Sequence, residues 1–87
     1  MDIKVVLDLL EEINNDRTVP RNVRAKVSEV IEMLKNLNKE KEKRVKLNSA
    51  AATLDELSND PNIPIYTRTQ IWNILSLLET MSRELKD

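Results

Sequence analysis

The chain carries two copies of one motif, 44 residues apart, and this repeat restricts the folds that it can adopt. The motif reads Asn-Asp-x-x-(Val or Ile)-Pro-x-x-x-Arg and begins at Asn15 and again at Asn59. Between residues 10–34 and 54–78, seven of 25 aligned positions are identical. The identities gather at the motif, where helical periodicity does not require them. We therefore interpret the chain as a duplicated helix-turn-helix unit.

Apolar residues recur at steps of three and four in four segments, which is typical of amphipathic helices. Pro20 and Pro64 predict helix starts, because proline is tolerated in a first turn and pushes the preceding residue away from the α region. The Asn-Asp pairs before them can close the preceding helices. We predict helices at about 3–15, 20–37, 42–58 and 64–85. The core-facing residues are expected to be Ile3, Val6, Leu10, Ile13, Val23, Val27, Val30, Leu34, Leu37, Leu47, Ala50, Leu54, Leu57, Ile71, Ile74, Leu75, Leu78, Met81 and Leu85.

The 87 residues leave room for one domain, since a chain this short buries only roughly 60% of its unfolded surface. We predict an all-α fold over 1–87, an antiparallel four-helix bundle made of two duplicated hairpins, at about 3–37 and 42–85. Solenoids need about three repeats to bury a continuous core, which disfavours a stack. A two-repeat stack completed by dimerisation is the alternative.

The second copy of the motif also carries a family resemblance. Residues 54–64 (LDELSNDPNIP) followed by 68–74 (RTQIWNI) resemble uncharacterised archaeal protein family 0147. Asn15-Asp16 and residues 19–24 of the first copy are similar to that family too, and the most specific stretch is 59–74. The resemblance implies a short archaeal protein with a four-helical bundle fold and no assigned function.

Composition argues against catalysis. Cysteine and histidine are both absent, which removes thiol nucleophiles, the commonest general base and the commonest transition-metal ligand. We expect no enzyme activity, no cofactor and no metal; a carboxylate site for magnesium or calcium at Asp8, Glu11 and Glu12 is the remaining alternative. No apolar stretch approaches the roughly 20 residues of a membrane span, and an acid stands at position 2, so we expect a cytoplasmic protein.

The repeated aspartates and arginines are interpreted as parts of the two turns. Each aspartate is expected to accept hydrogen bonds from the first N–H groups of the next helix, or to pair with the arginine one turn inside it. The structural turn residues are Asp16, Pro20, Arg24, Asp60, Pro64 and Arg68. Arg17, Arg21, Arg24 and Lys26 form a cationic run at a helix start, where either nearby acids neutralise them or an anion binds.

Surplus apolar residues indicate an interaction surface. Tryptophan is enriched at interface hot spots, and Trp72 stands where the first copy has Ser28. The candidate interface consists of Val5, Leu9, Ile65, Arg68, Trp72 and Leu77. We therefore predict a non-enzymatic helical interaction module that associates with itself or binds a protein partner.

A second prediction, less favoured, is an accessory nucleic-acid-binding protein. The total charge is nearly balanced, with 14 Lys and Arg against 15 Asp and Glu, so any electrostatic binding must be local. The candidate contacts lie in the basic stretch 35–46 and are Lys35, Lys39, Lys41, Lys43, Arg44 and Lys46. Tyr66 and Trp72 do not interleave with this stretch, which weakens the case for base stacking.

Overall fold

The computed structural model describes residues 3–37 and 42–85. These residues form four helices and no strand: α1 (Ile3–Asn14), α2 (Arg21–Lys35), α3 (Lys43–Ser58) and α4 (Ile65–Glu84). The predicted bounds are met to within one or two residues.

The helices pack in a closed ring, in which each contacts the next and α4 packs back on α1. The molecule measures 37 × 19 × 18 Å, about the length of α4 plus its turns. Closure of the ring confirms the four-helix bundle, because an open two-repeat stack would leave the first and last helices apart. No helix in the described ranges is both long and apolar enough to cross a membrane.

The two hairpin turns are built alike. Pro20 directly precedes α2 and accepts the first α-helical hydrogen bond from Arg24, and Pro64 accepts the same bond from Arg68. The Asn-Asp pair closes the preceding helix as predicted, through short-range backbone hydrogen bonds such as that from the Asp60 N–H to the Leu57 carbonyl. No described residue has a positive φ, so the turns do not use the left-handed conformations that asparagine and aspartate tolerate.

The core is one continuous cluster with side chains from all four helices. The predicted core-facing residues are buried, except that Ile3, Leu57, Leu75 and Leu85 lie at its margin. The turn residues Val19 and Ile63 are also buried, at 1% and 6% exposure. Their side chains close one end of the bundle, because both hairpin turns lie at that end.

Candidate functional site

The outer surface of α4 is the most unusual surface of the described residues. Six residues at successive spacings of three, four, four, three and four lie along one side of this helix, because such spacings return to the same direction. We call this row the α4 ridge, and it consists of Ile65, Arg68, Trp72, Ser76, Glu79 and Arg83. Ile65 is 79% exposed and Trp72 is 57% exposed.

The first two thirds of α4 carry almost no charge. Residues 65–78 contain a single charged residue, Arg68, although 33% of the chain is charged. The matching segment of the first hairpin, residues 21–34, contains five charged residues. The two segments occupy equivalent places in the fold, so helix formation does not account for the difference. A helix segment with a single charge that also exposes tryptophan and isoleucine is typical of an interaction site.

The Arg68 guanidinium is already engaged within the hairpin. Its Nε donates to the Ser58 carbonyl oxygen at 2.8 Å, and one terminal nitrogen donates to the Asp60 carbonyl oxygen at 3.2 Å. Both carbonyls belong to the last turn of α3 and the residues after it, where no intrahelical donor is available. Arg68 therefore ties the start of α4 to the end of α3. The prediction that it pairs with the Asp60 carboxylate is wrong. The guanidinium instead binds backbone carbonyl oxygens that have no intrahelical donor.

The turn aspartates bind within their own turns. The Asp16 carboxylate accepts hydrogen bonds from the Thr18 N–H at 2.9 Å and the Thr18 hydroxyl at 2.6 Å. Asp60 accepts from the Asn62 N–H at 2.8 Å. The predicted bonds to the first N–H groups of the next helix are not the ones formed, because a short side chain reaches the N–H two residues later first.

The pKa of Asp16 lies below its ordinary value of 3.8, chiefly because Thr18 hydrogen-bonds the charged form, with a smaller contribution from the nearby Arg24 charge. Arg24 otherwise departs from its counterpart Arg68, because its Nε is buried without a hydrogen-bond partner. In the same cationic run, Lys26 pairs with Glu29 at 3.6 Å, an acid on its own helix rather than one of the acids of the preceding segment.

The other candidate interface residues, Val5, Leu9 and Leu77, differ in exposure. Leu9 and Leu77 are partly buried against the core, so less of their surface is exposed than that of Ile65 or Trp72. Val5 remains 43% exposed. Two residues outside the predicted interface are also exposed: Tyr66 at 67% and Val45 at 60%. The signal for Tyr66 lay in the repeat, since its counterpart in the first hairpin is the polar Asn22.

The described part of the basic stretch lies at the opposite end of the bundle from the start of α4. A terminal nitrogen of Arg44 donates to the Leu85 carbonyl oxygen at 2.8 Å, which places the start of α3 beside the end of α4. Lys35 pairs with Glu32 at 3.5 Å, and Lys43 and Lys46 are half-buried. Lys39 and Lys41 lie outside the described residues. Two of the four described cations of this stretch, Lys35 and Arg44, therefore have local partners.

Two open grooves flank α3. One of about 500 Å³ lies between the start of α2 and the end of α3, and its lining residues include Asn22, Lys26, Thr53 and Glu56. Another of about 270 Å³ lies between α3 and the end of α4. The described residues contain no group of three or more acids, histidines or cysteines placed to hold a metal ion, and Asp8, Glu11 and Glu12 do not converge.

Four helices in an antiparallel ring, joined as two like hairpins, define a small all-α bundle protein. Residues 1–81 match the model of an uncharacterised protein family, UPF0147, and the chain belongs to this family. It is also similar to a solved structure described as the crystal structure of unknown function protein MMP1188, with 44% sequence identity and a TM-score of 0.82. That match covers 99% of this chain and 91% of the other. The comparison with curated proteins gave no match.

Proposed function

We propose that the chain is a non-enzymatic, cytoplasmic helical interaction module, which associates with itself or with a protein partner through the α4 ridge. The observation that carries this proposal is the exposure of Ile65 and Trp72 on a helix segment with one charge in 14 residues. The equivalent positions of the first hairpin are Arg21 and Ser28, which are polar. Among the two equivalent helices, the exposed apolar pair of Ile65 and Trp72 is thus a property of α4 alone.

The exposed apolar area is large enough to contribute to binding. A tryptophan side chain buries about 150–250 Å² when covered. With 57% of Trp72 exposed, roughly 85–140 Å² remains in water. At about 25 cal/mol per Å², covering it contributes on the order of 3 kcal/mol before the cost of association. Ile65 adds a comparable though smaller area at the start of the same ridge.

The geometry supports the nucleic-acid alternative less well. Of the described cations in the basic stretch, Lys35 and Arg44 have partners within the bundle. The exposed aromatic residues Tyr66 and Trp72 lie toward the other end of the molecule, so they cannot stack bases beside these cations.

Site-specific crosslinking tests the proposal. A photoreactive benzophenone amino acid is placed at Trp72 and, as a matched control, at Ser28, the equivalent position of α2. In cells that naturally make the chain, irradiation is expected to give a crosslinked product of defined mass from position 72 and none from position 28. The absence of any product from position 72, or equal products from both positions, would contradict the proposal.

Filter binding of the purified chain to RNA and DNA at two salt concentrations tests the alternative. Affinity that falls steeply with salt and disappears when Lys35, Lys43 and Lys46 are neutralised would favour nucleic-acid binding instead.

A further inference from the structure

The α4 ridge is complementary to a second copy of itself. From Ile65 to Arg83 the ridge presents an apolar residue, a cation, a large aromatic residue, a small residue, an anion and a cation. In an antiparallel pair of α4 helices, position 74 of one copy can face position 74 of the other. In this register, complementary residues of the two ridges lie opposite each other. Ile65 comes opposite Arg83, and Trp72 comes opposite Ser76. Arg68 comes within one residue of Glu79.

Each of these pairs is favourable. Ser76 is exposed and small, so it leaves room for the Trp72 ring of a facing copy. Glu79 is exposed and opposite in charge to Arg68, whose guanidinium keeps its two hairpin hydrogen bonds and attracts the facing carboxylate by its charge. The aliphatic stem of Arg83 can cover Ile65 while its guanidinium stays in water. By two-fold symmetry each of the three pairs occurs twice.

A parallel arrangement lacks this complementarity. In a parallel, in-register pair, Arg68, Glu79 and Arg83 would each face their own copy, which places like charges directly opposite one another. The ridge also differs from the matching side of α2, which carries Arg21 and Glu32 in place of Ile65 and Ser76. The complementary pattern is therefore confined to one of the two equivalent helix surfaces.

We propose that two copies of the chain pair through antiparallel α4 ridges, with the Trp72 of each copy packed against the Ser76 position of the other. This proposal rests on the proposed function and names the partner. The seam spans 18 residue steps, or about 27 Å, which is at the small end of specific interfaces, so a dissociation constant near the micromolar range is expected.

The first test is the oligomeric state of the purified full chain, measured by sedimentation and light scattering from roughly 1 µM to 1 mM. Trp72→Ser is expected to weaken dimerisation roughly 30-fold or more, as loss of a hot-spot side chain does. Tyr66→Ser is the matched control, because Tyr66 is an exposed aromatic residue of the same helix that lies off the ridge, and it is expected to leave dimerisation unchanged.

Charge reversal tests the pairing of Arg68 with Glu79. Glu79→Lys is expected to weaken the dimer roughly tenfold, and added salt should partly restore it because salt screens the new repulsion. Glu84→Lys makes the same charge change on the same helix, off the ridge, and is expected to have no comparable effect. Circular dichroism melting of each variant shows that the fold is retained.

Distance measurement tests the antiparallel register. The chain has no native cysteine, so Asn73→Cys and Glu84→Cys each give a single site for a nitroxide label. These two positions are 11 residues apart on the same side of α4. In the proposed dimer the Asn73 labels are about 3 Å apart along the helix direction and the Glu84 labels about 30 Å. Equal separations at both positions would overturn the antiparallel pairing.

The outcomes separate this proposal from the one on which it rests. A chain that stays monomeric to about 1 mM overturns the self-pairing. If position 72 still gives a crosslinked product with another protein, the interaction module itself stands. A dimer insensitive to Trp72→Ser also overturns the self-pairing through the ridge.

Discussion

Replacement of Arg68 by methionine is expected to destabilise the bundle much more than the same replacement of Arg24, although the two arginines occupy equivalent places in the repeat. Arg68→Met keeps an unbranched stem of similar bulk and removes both donors. Two hydrogen bonds are lost, at 2.8 and 3.2 Å, each made by a charged donor to the end of α3. Hydrogen bonds to charged groups contribute about 1.5–3 kcal/mol each when well shielded.

These two bonds are only partly buried, so the freed carbonyl oxygens can recover some hydration. We therefore expect about 1–1.5 kcal/mol per bond, at or below the low end of that range, and a total loss of about 2–3 kcal/mol in the free energy of unfolding. For a domain of this size, such a loss lowers Tm by roughly 8–24 °C. Arg24→Met is expected to cost less than about 1 kcal/mol, because the Arg24 Nε has no hydrogen bond to lose.

Urea unfolding at 25 °C, followed by circular dichroism, measures both variants against the unaltered chain. A loss below about 0.5 kcal/mol for Arg68→Met would show that the two hydrogen bonds do not hold the hairpin. Equal losses for the two variants would show that the charge shared by both arginines matters more than the two hydrogen bonds, and the reasoning from hydrogen bonds would then be wrong.

Three further substitutions are expected to change stability. Thr67→Val should stabilise the bundle by about 1 kcal/mol, because the Thr67 hydroxyl is buried without a hydrogen-bond partner and valine already occupies the equivalent position, Val23. A lower Tm for this variant would show that the hydroxyl is hydrogen-bonded. Asp60→Ala should cost about 1 kcal/mol in urea unfolding by freeing the N–H two residues later, and an unchanged Tm would count against that bond. The pKa of Asp16 is lowered in the folded state mainly by Thr18, so its contribution to stability is fully present above pH 3.8 and is lost as pH falls through the lowered folded-state pKa. Asp16→Asn should therefore flatten the loss of stability measured by urea unfolding below about pH 4, and an unchanged acid profile would exclude this role.

The sequence predicted the fold well because its signals were local and repeated. Steps of three and four residues marked the buried sides of all four helices, and Pro20 and Pro64 marked two helix starts. The apolar residues at the equivalent turn positions, Val19 and Ile63, also indicated burial, because an apolar side chain that recurs in both turns is favoured in the core rather than in water. Closure of the ring followed from having only two hairpins.

The details of the candidate site were less accessible. Periodicity indicates which side of a helix is buried, but it does not show how far neighbouring helices cover its margins, so the partial burial of Leu9 and Leu77 was not predicted. The partners of Arg68 are backbone carbonyl oxygens, which any sequence supplies. The contrast between Arg68 and Arg24 depends on small differences between two like turns, which no motif records.

The two hairpins agree in their interior and differ on their outer surfaces, and this contrast bears on function. The two identical leucine pairs, Leu10/Leu54 and Leu34/Leu78, are buried in the shared core, where a change of volume is costly. At outward positions no such restraint acts, and there Ser28 corresponds to Trp72. A tryptophan that is 57% exposed contributes little to the stability of the isolated bundle, because most of its ring stays in water in both the folded and unfolded states. Its apolar surface contributes free energy only when a binding partner buries it. This supports the proposal that α4, rather than the matching side of α2, is the helix through which the protein associates.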